Sequence, residues 1–182
     1  MNKLTYKLRR LSMGILSGNP KDEPLHYGEV FDLWASLLAG NGMIAGYQTM
    51  INHAGDEDLK KLLLEAIDAG QQEKKQVEEL LKENGIGLPP ASPEPPEACL
   101  EDIPIGARIP DPAIAATLSA DIAAGLVLCS QVIGKSIRED VALMFVQFHT
   151  QKATLGAKVL RLNKEKGWLI PPPLHPNKHG DC

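Results

Sequence analysis

The sequence predicts an all-α fold, a four-helix bundle with a long proline-rich crossover between its second and third helices. Three observations predict it. Four long stretches place apolar side chains at alternating spacings of three and four, which is one face of a helix. Residues 84–112, between the second and third stretches, hold eight prolines, and proline both fixes φ and lacks the amide hydrogen a helix needs. Aromatic residues are only 4 % of the chain while alanine, leucine and glycine abound, which suits packed helices better than sheets.

At 182 residues the chain fits one domain with a sizeable core. Residues 1–24 read as an N-terminal arm, 25–167 as the bundle with 86–110 as its crossover, and 168–182 as a proline-rich tail. The first helix is expected to start after Asp22-Glu23-Pro24 and to stop at Gly55, with Val30, Trp34, Leu37, Ile44, Tyr47 or Gln48, and Ile51 inward. Gly40, Gly42 and Gly46 interrupt it at about 1 kcal/mol each against alanine. Close approach of another backbone is the expected compensation, and Asn41-Gly42 is the place where the helix would break.

The second helix has Asp56 as N-cap, Glu57 and Asp58 in the first turn, and Gly85 as a left-handed stop. Its stripe is Leu59, Leu62 or Leu63, Ala66, Gly70, Val77 and Leu80. The short link from the first helix makes the two antiparallel neighbours. The third helix opens with Asp111 as cap and Pro112 at the first helical position. Ile122 to Cys129 are almost all small or apolar, so this helix is expected to be the most buried. The fourth carries Val141, Phe145, Phe148, Leu155, Val159 and Leu162 inward and ends in a basic turn capped by Gly167. Trp168, Leu169 and Ile170 are expected to pin the start of the tail to the bundle.

A proline-rich segment advances about 3 Å per residue, and helices of this size are about 40 Å long. The connection can therefore run the length of the bundle and make helices two and three parallel, as in ferritin-like folds. An up-and-down bundle with a looped-out connection is the competitor.

Composition excludes some functions. The formal net charge of −4 and pI of about 5.7 leave no basic footprint for nucleic acid. The one basic cluster, Lys3, Lys7, Arg9 and Arg10, lies in the arm, whose apolar run is too short for a secretory signal. No other segment is expected to be long and charge-free enough to span a membrane. Cys99, Cys129 and Cys182 have no CxxC spacing and read as free thiols, Cys129 buried and the other two exposed and available for cross-linking between molecules.

Di-iron bundles need Glu-x-x-His on two helices and a glutamate on each of the others. No helix here carries Glu-x-x-His, so that set cannot be assembled. Candidate metal ligands remain. Glu73 on the second helix, His149 on the fourth and Asp121 on the third are expected near mid-height, as a remnant metal site or as a satisfied polar group. His26 and Glu29 share a face at the start of the first helix, a solvent-facing start being the expectation and metal binding the alternative. There is no Gly-x-Ser-x-Gly and no phosphate loop, and no cofactor is expected. Small residues near the middle of each helix, among them Gly40, Gly70 and Gly125, predict close packing, because interiors rarely keep voids. A cavity there would be a ligand pocket.

The strings GILSGNPKDEPLHYGEVFDLW, GMIAGYQTMINHAGD and LNKEKGWLIPPPLH, together with residues 119–153, resemble a family from spore-forming bacteria related to spore coat protein F. The resemblance runs from about Gly14 to His175 and implies a ferritin-like fold with a structural role in the coat and no catalytic residues. The expected function is a non-catalytic interaction protein, cytoplasmic or in the spore coat, that associates with copies of itself and with other coat proteins. The alternative is a ferritin-like protein that binds a metal or a small ligand between its helices.

Overall fold

A computed structural model describes residues 23–91, 93–173 and 175. The basic arm residues, His179 and Cys182 lie outside them. The fold is all-α: helices α1 (Tyr27–His53), α2 (Glu57–Glu83), α3 (Asp111–Lys135) and α4 (Glu139–Glu165), with short 3-10 turns at Leu100–Asp102 and Ile105–Ala107 and no strand among the described residues.

Local chemistry sets the ends. His26 caps α1, its Nδ1 accepting from the amides of Gly28 (2.9 Å) and Glu29 (3.3 Å), while Glu29 reaches back to the His26 amide at 3.1 Å. Asp56 caps α2 by accepting from the amides of Asp58 and Leu59. Gly85 and Gly167, both at φ +71°, end α2 and α4 in the left-handed region, where a side chain would be strained. α1 runs unbroken through Asn41-Gly42. Pro110, not Asp111, is the residue before α3; Asp111 turns outward from its own helix, and its Oδ1 accepts from the Gly55 amide at 2.8 Å.

These contacts order the two ends of the bundle. At one end Gly55, in the α1–α2 turn, holds the start of α3, and His53 accepts from the Ile109 amide. At the other end Arg138, in the α3–α4 turn, is 3 % exposed. Its guanidinium donates to both Asp140 oxygens (3.0 and 2.5 Å), to the Glu23 carbonyl and to Asn84 Oδ1 at the end of α2. Residues 84–110 connect the two ends, held midway by Asn52, which donates to the Pro96 carbonyl and accepts from the Ala98 amide.

The interior consists of two apolar clusters. One, around Leu59, Leu63, Ile114, Leu118, Val159 and Leu162, fills the α1–α2 turn end. The other, around Leu33, Val77, Leu81, Val132, Val141 and Phe145, fills the α3–α4 turn end, where Phe145 and Phe148 meet edge to face. The predicted stripe of α4 is buried throughout.

Four expectations need correction. On α1 the inward line passes through Glu29, Leu33, Leu37 and Tyr47, while Val30 and Trp34 are half-buried at its edge; the helix is apolar nearly all round, so spacing alone did not select a face. α3 is buried along one face only, not nearly throughout: Ala113, Ala116, Ala120, Ala123, Ala124 and Val127 are exposed. By length and composition this helix is also apolar enough to cross a membrane, contrary to the expectation that no segment is. In the tail only Trp168 packs on the bundle, since Leu169 is exposed and Ile170 is 91 % exposed.

Candidate functional site

Between the two clusters the bundle is hollow. Leu33, Leu37, Gly40, Ile44 and Tyr47 follow one another at spacings of four and three, so Gly40 occupies a core position with no side chain to fill it. Nothing lies within 4 Å of where its β-carbon would be. Ala69 and Gly70 on α2 and Gly125 on α3 add no bulk at the same height, and a cavity of about 110 Å³ remains. The expected close packing holds at Gly70, where a β-carbon would lie 3.1 Å from Ile44, and at Gly125, and fails at Gly40.

Gly125 has a specific task. A β-carbon there would sit 2.9 Å from Cδ and Cε of Lys152, so the lysine stem lies directly over the α3 backbone. Lys152 Nζ reaches both Glu73 oxygens at 2.5 Å, and the two side chains are 21 % and 17 % exposed. Burial raises the Glu73 pKa above the ordinary carboxylate value, with the Lys152 charge opposing it. Burial also pushes the Cys129 thiol up to about 11, so at neutral pH it is neither a thiolate nucleophile nor a ready metal ligand.

Tyr47 is 4 % exposed and its hydroxyl has no hydrogen-bond partner among the described residues. Burial raises its pKa, and the Asp121 carboxylate adds to the shift, although no hydrogen bond of normal geometry joins the two. The tyrosine therefore keeps its proton and stands as a free donor at the cavity wall.

The predicted site residues divide. Glu73 and Asp121 both line the cavity. His149 does not. The inward line of α4 runs through Phe145, Phe148, Lys152 and Leu155, which places Lys152 opposite Glu73 and His149 to one side. His26 and Glu29 sit at the end of the bundle, and there the expected solvent-facing start is wrong. Glu29 is 1 % exposed because its Oε1 accepts from the amides of Ile137 and Arg138, both at 2.9 Å. Its role is to tie α1 to the α3–α4 turn. Among the described residues no group of three or more His, Cys, Asp or Glu is placed to hold a metal ion. Tyr47 and Lys152 were missed as site residues. Both stand at core spacing, and that was the signal available for them.

The family described as protein of unknown function DUF3231 matches residues 13–180. The chain belongs to the DUF3231 family. It is 65 % identical over 170 residues to the uncharacterized protein YvdQ of Bacillus subtilis (strain 168), covering 93 % of this chain and all of that one. A crystal structure from Bacillus halodurans C-125, named "putative spore coat protein", is also 65 % identical, with a TM-score of 0.86 over 87 % of this chain and all of the other. A DUF305 fragment from Deinococcus radiodurans, 15 % identical with a TM-score of 0.61 over 78 % of this chain and 99 % of its own, shares the fold alone. This DUF3231 chain is thus similar along nearly its whole length to a protein that carries a spore-coat name.

Proposed function

We propose that this DUF3231 protein is a non-catalytic structural component of the bacterial spore coat that assembles with further copies of itself through the outer wall formed by α1 and α3. One observation carries the reading. These helices lie side by side, joined by Lys135 and Asp32 at 3.4 Å, and their outer faces are mostly apolar or small, with Lys135 at one end as their exposed charge. Tyr27, Phe31 and Leu38 on α1 and Val127 on α3 are exposed, between small residues. Gly42 and Gly46 meet nothing within 4 Å of a β-carbon position, so no contact within the chain requires glycine there, whereas a close neighbour outside it would. Two helices about 40 Å long and about 10 Å wide offer a wall of about 800 Å², the size of one side of a standard interface. Location in the coat is supported by the name of the Bacillus halodurans relative. A ferritin-like arrangement is supported by the path of the chain, in which α2 ends beside Arg138 and α3 starts beside Gly55.

The test has two parts. Sedimentation should find a dimer or larger species that the double change Phe31→Glu, Ala120→Glu converts to a folded monomer. A fluorescent fusion in a sporulating Bacillus should collect around the forespore. A wild-type monomer at high concentration, or binding to lipid vesicles in place of self-association, would overturn the assembly. Fluorescence that never leaves the mother-cell interior would overturn the location.

A further inference from the structure

We propose that the cavity between the two cores is a binding site for a small uncharged molecule bearing one hydroxyl on an apolar body of about six carbons, a phenol or a cyclic alcohol. The size follows from the space. This cavity of about 110 Å³ is smaller than the apolar cavity of about 150 Å³ that accepts benzene, so a six-carbon ring is the upper limit of what it can take. Its wall is apolar over most of its extent, with Ile44, Val77, Leu128, Phe145 and Phe148 around the hollow at Gly40.

The hydroxyl follows from the polar groups. Tyr47 Oη is buried at this wall without a partner, and a buried donor left unmade costs its full desolvation. The half-buried Asp121 carboxylate lines the same space. A hydroxyl answers both, accepting from Tyr47 and donating to Asp121. Glu73 and Lys152 are already satisfied by each other. Both carboxylates, Glu73 and Asp121, repel an anion, and the loss of hydration in an apolar hollow opposes an organic cation. Among the described residues no third His, Cys, Asp or Glu is placed to complete a metal site. The raised Tyr47 pKa agrees with its part as donor.

Phenol and benzene are the probes, titrated into the full chain and followed by amide NMR. Both should give saturable shifts centred on Gly40, Tyr47, Gly70 and Gly125, with phenol the tighter by roughly tenfold, the worth of one hydrogen bond to a group otherwise left unpaired. Tyr47→Phe should bring phenol down to the affinity of benzene and leave benzene unchanged. Gly40→Leu fills the hollow and should abolish both. If that variant does not fold, Gly40→Ala decides, and should weaken both ligands at least threefold. Absence of saturable shifts, equal affinities in the wild type, or phenol shifts that persist undiminished with the hollow filled would overturn the proposal.

Discussion

The α1/α3 side of the bundle and the α2/α4 side use charge in opposite ways. On α1 and α3 the only Asp, Glu, Lys or Arg side chains are Glu29, Asp32, Asp111, Asp121 and Lys135, whereas α2 carries thirteen and α4 seven. Apart from Asp121, which lines the cavity, these few hold the fold together. Glu29 is buried on three backbone amides, Asp32 is buried against Lys135, and Asp111 ties the start of α3 to the α1–α2 turn. The many mostly form exposed pairs such as Lys60–Glu57, Lys61–Asp58 and Lys158–Glu65. A charge contributes to stability by what its burial leaves no alternative to, so number and importance run in opposite directions here.

Glu29→Ala is the largest break available to that contrast. It leaves the amides of His26, Ile137 and Arg138 without their acceptor at a site closed to water. The expected loss is about 3 kcal/mol, which for a chain of this size lowers the melting temperature by roughly 10 °C. Glu29→Gln keeps an acceptor oxygen and should lose less. A fall of only one or two degrees for Glu29→Ala in calorimetry would mean that the end of the bundle is held by packing alone.

How much of this was legible follows the same division. α2 and α4 alternate charged and apolar residues, so their caps, ends and buried stripes could be read from spacing. α1 and α3 are apolar nearly all round, so spacing could establish that they are helices and could not say which face turns inward. Glu29 was read as solvent-facing because its partners lie 108 and 109 residues away, a distance over which local rules say nothing. The cavity was readable in part: Gly40 stands in the line of Leu33, Leu37 and Tyr47, but whether neighbours fill such a gap depends on four helices at once. Lys152 stands at an inward position of α4, but its charge gives no local sign that its stem passes into the core. Gly125 is what lets its stem pass inward.

The Glu73–Lys152 pair sharpens the contrast, being the one partly buried link between the two charged helices. Replacing both by leucine should stabilise the protein by about 1–3 kcal/mol, since apolar side chains of similar volume avoid the desolvation that two charges incur. The sign with pH is fixed by the raised Glu73 pKa. Burial makes the folded state prefer the protonated acid, so the wild type loses this contribution as pH rises through the raised folded value. The advantage of the double variant should therefore be greatest at neutral pH, shrink as pH falls through the raised folded value, and level off below the ordinary value of 4.5. Urea melts of the two proteins across that range check it, and an advantage that grows on acidification would contradict it.

Lys158→Ala is the smallest expected effect and the most direct probe of the charged wall. Lys158 and Glu65 are 48 % and 46 % exposed, so water screens their attraction and holding two long side chains together costs entropy. Alanine is also the better helix former, which offsets part of whatever the pair contributes. The net change should lie within about 0.5 kcal/mol and vanish in about 0.5 M salt, where screening acts within a few ångströms. Glu65→Ala in the same background should then add nothing further, because a pair already broken has no second contribution to lose. A loss above about 1 kcal/mol that survives salt would place this exposed pair in the same class as Glu29 and remove the distinction between the two walls.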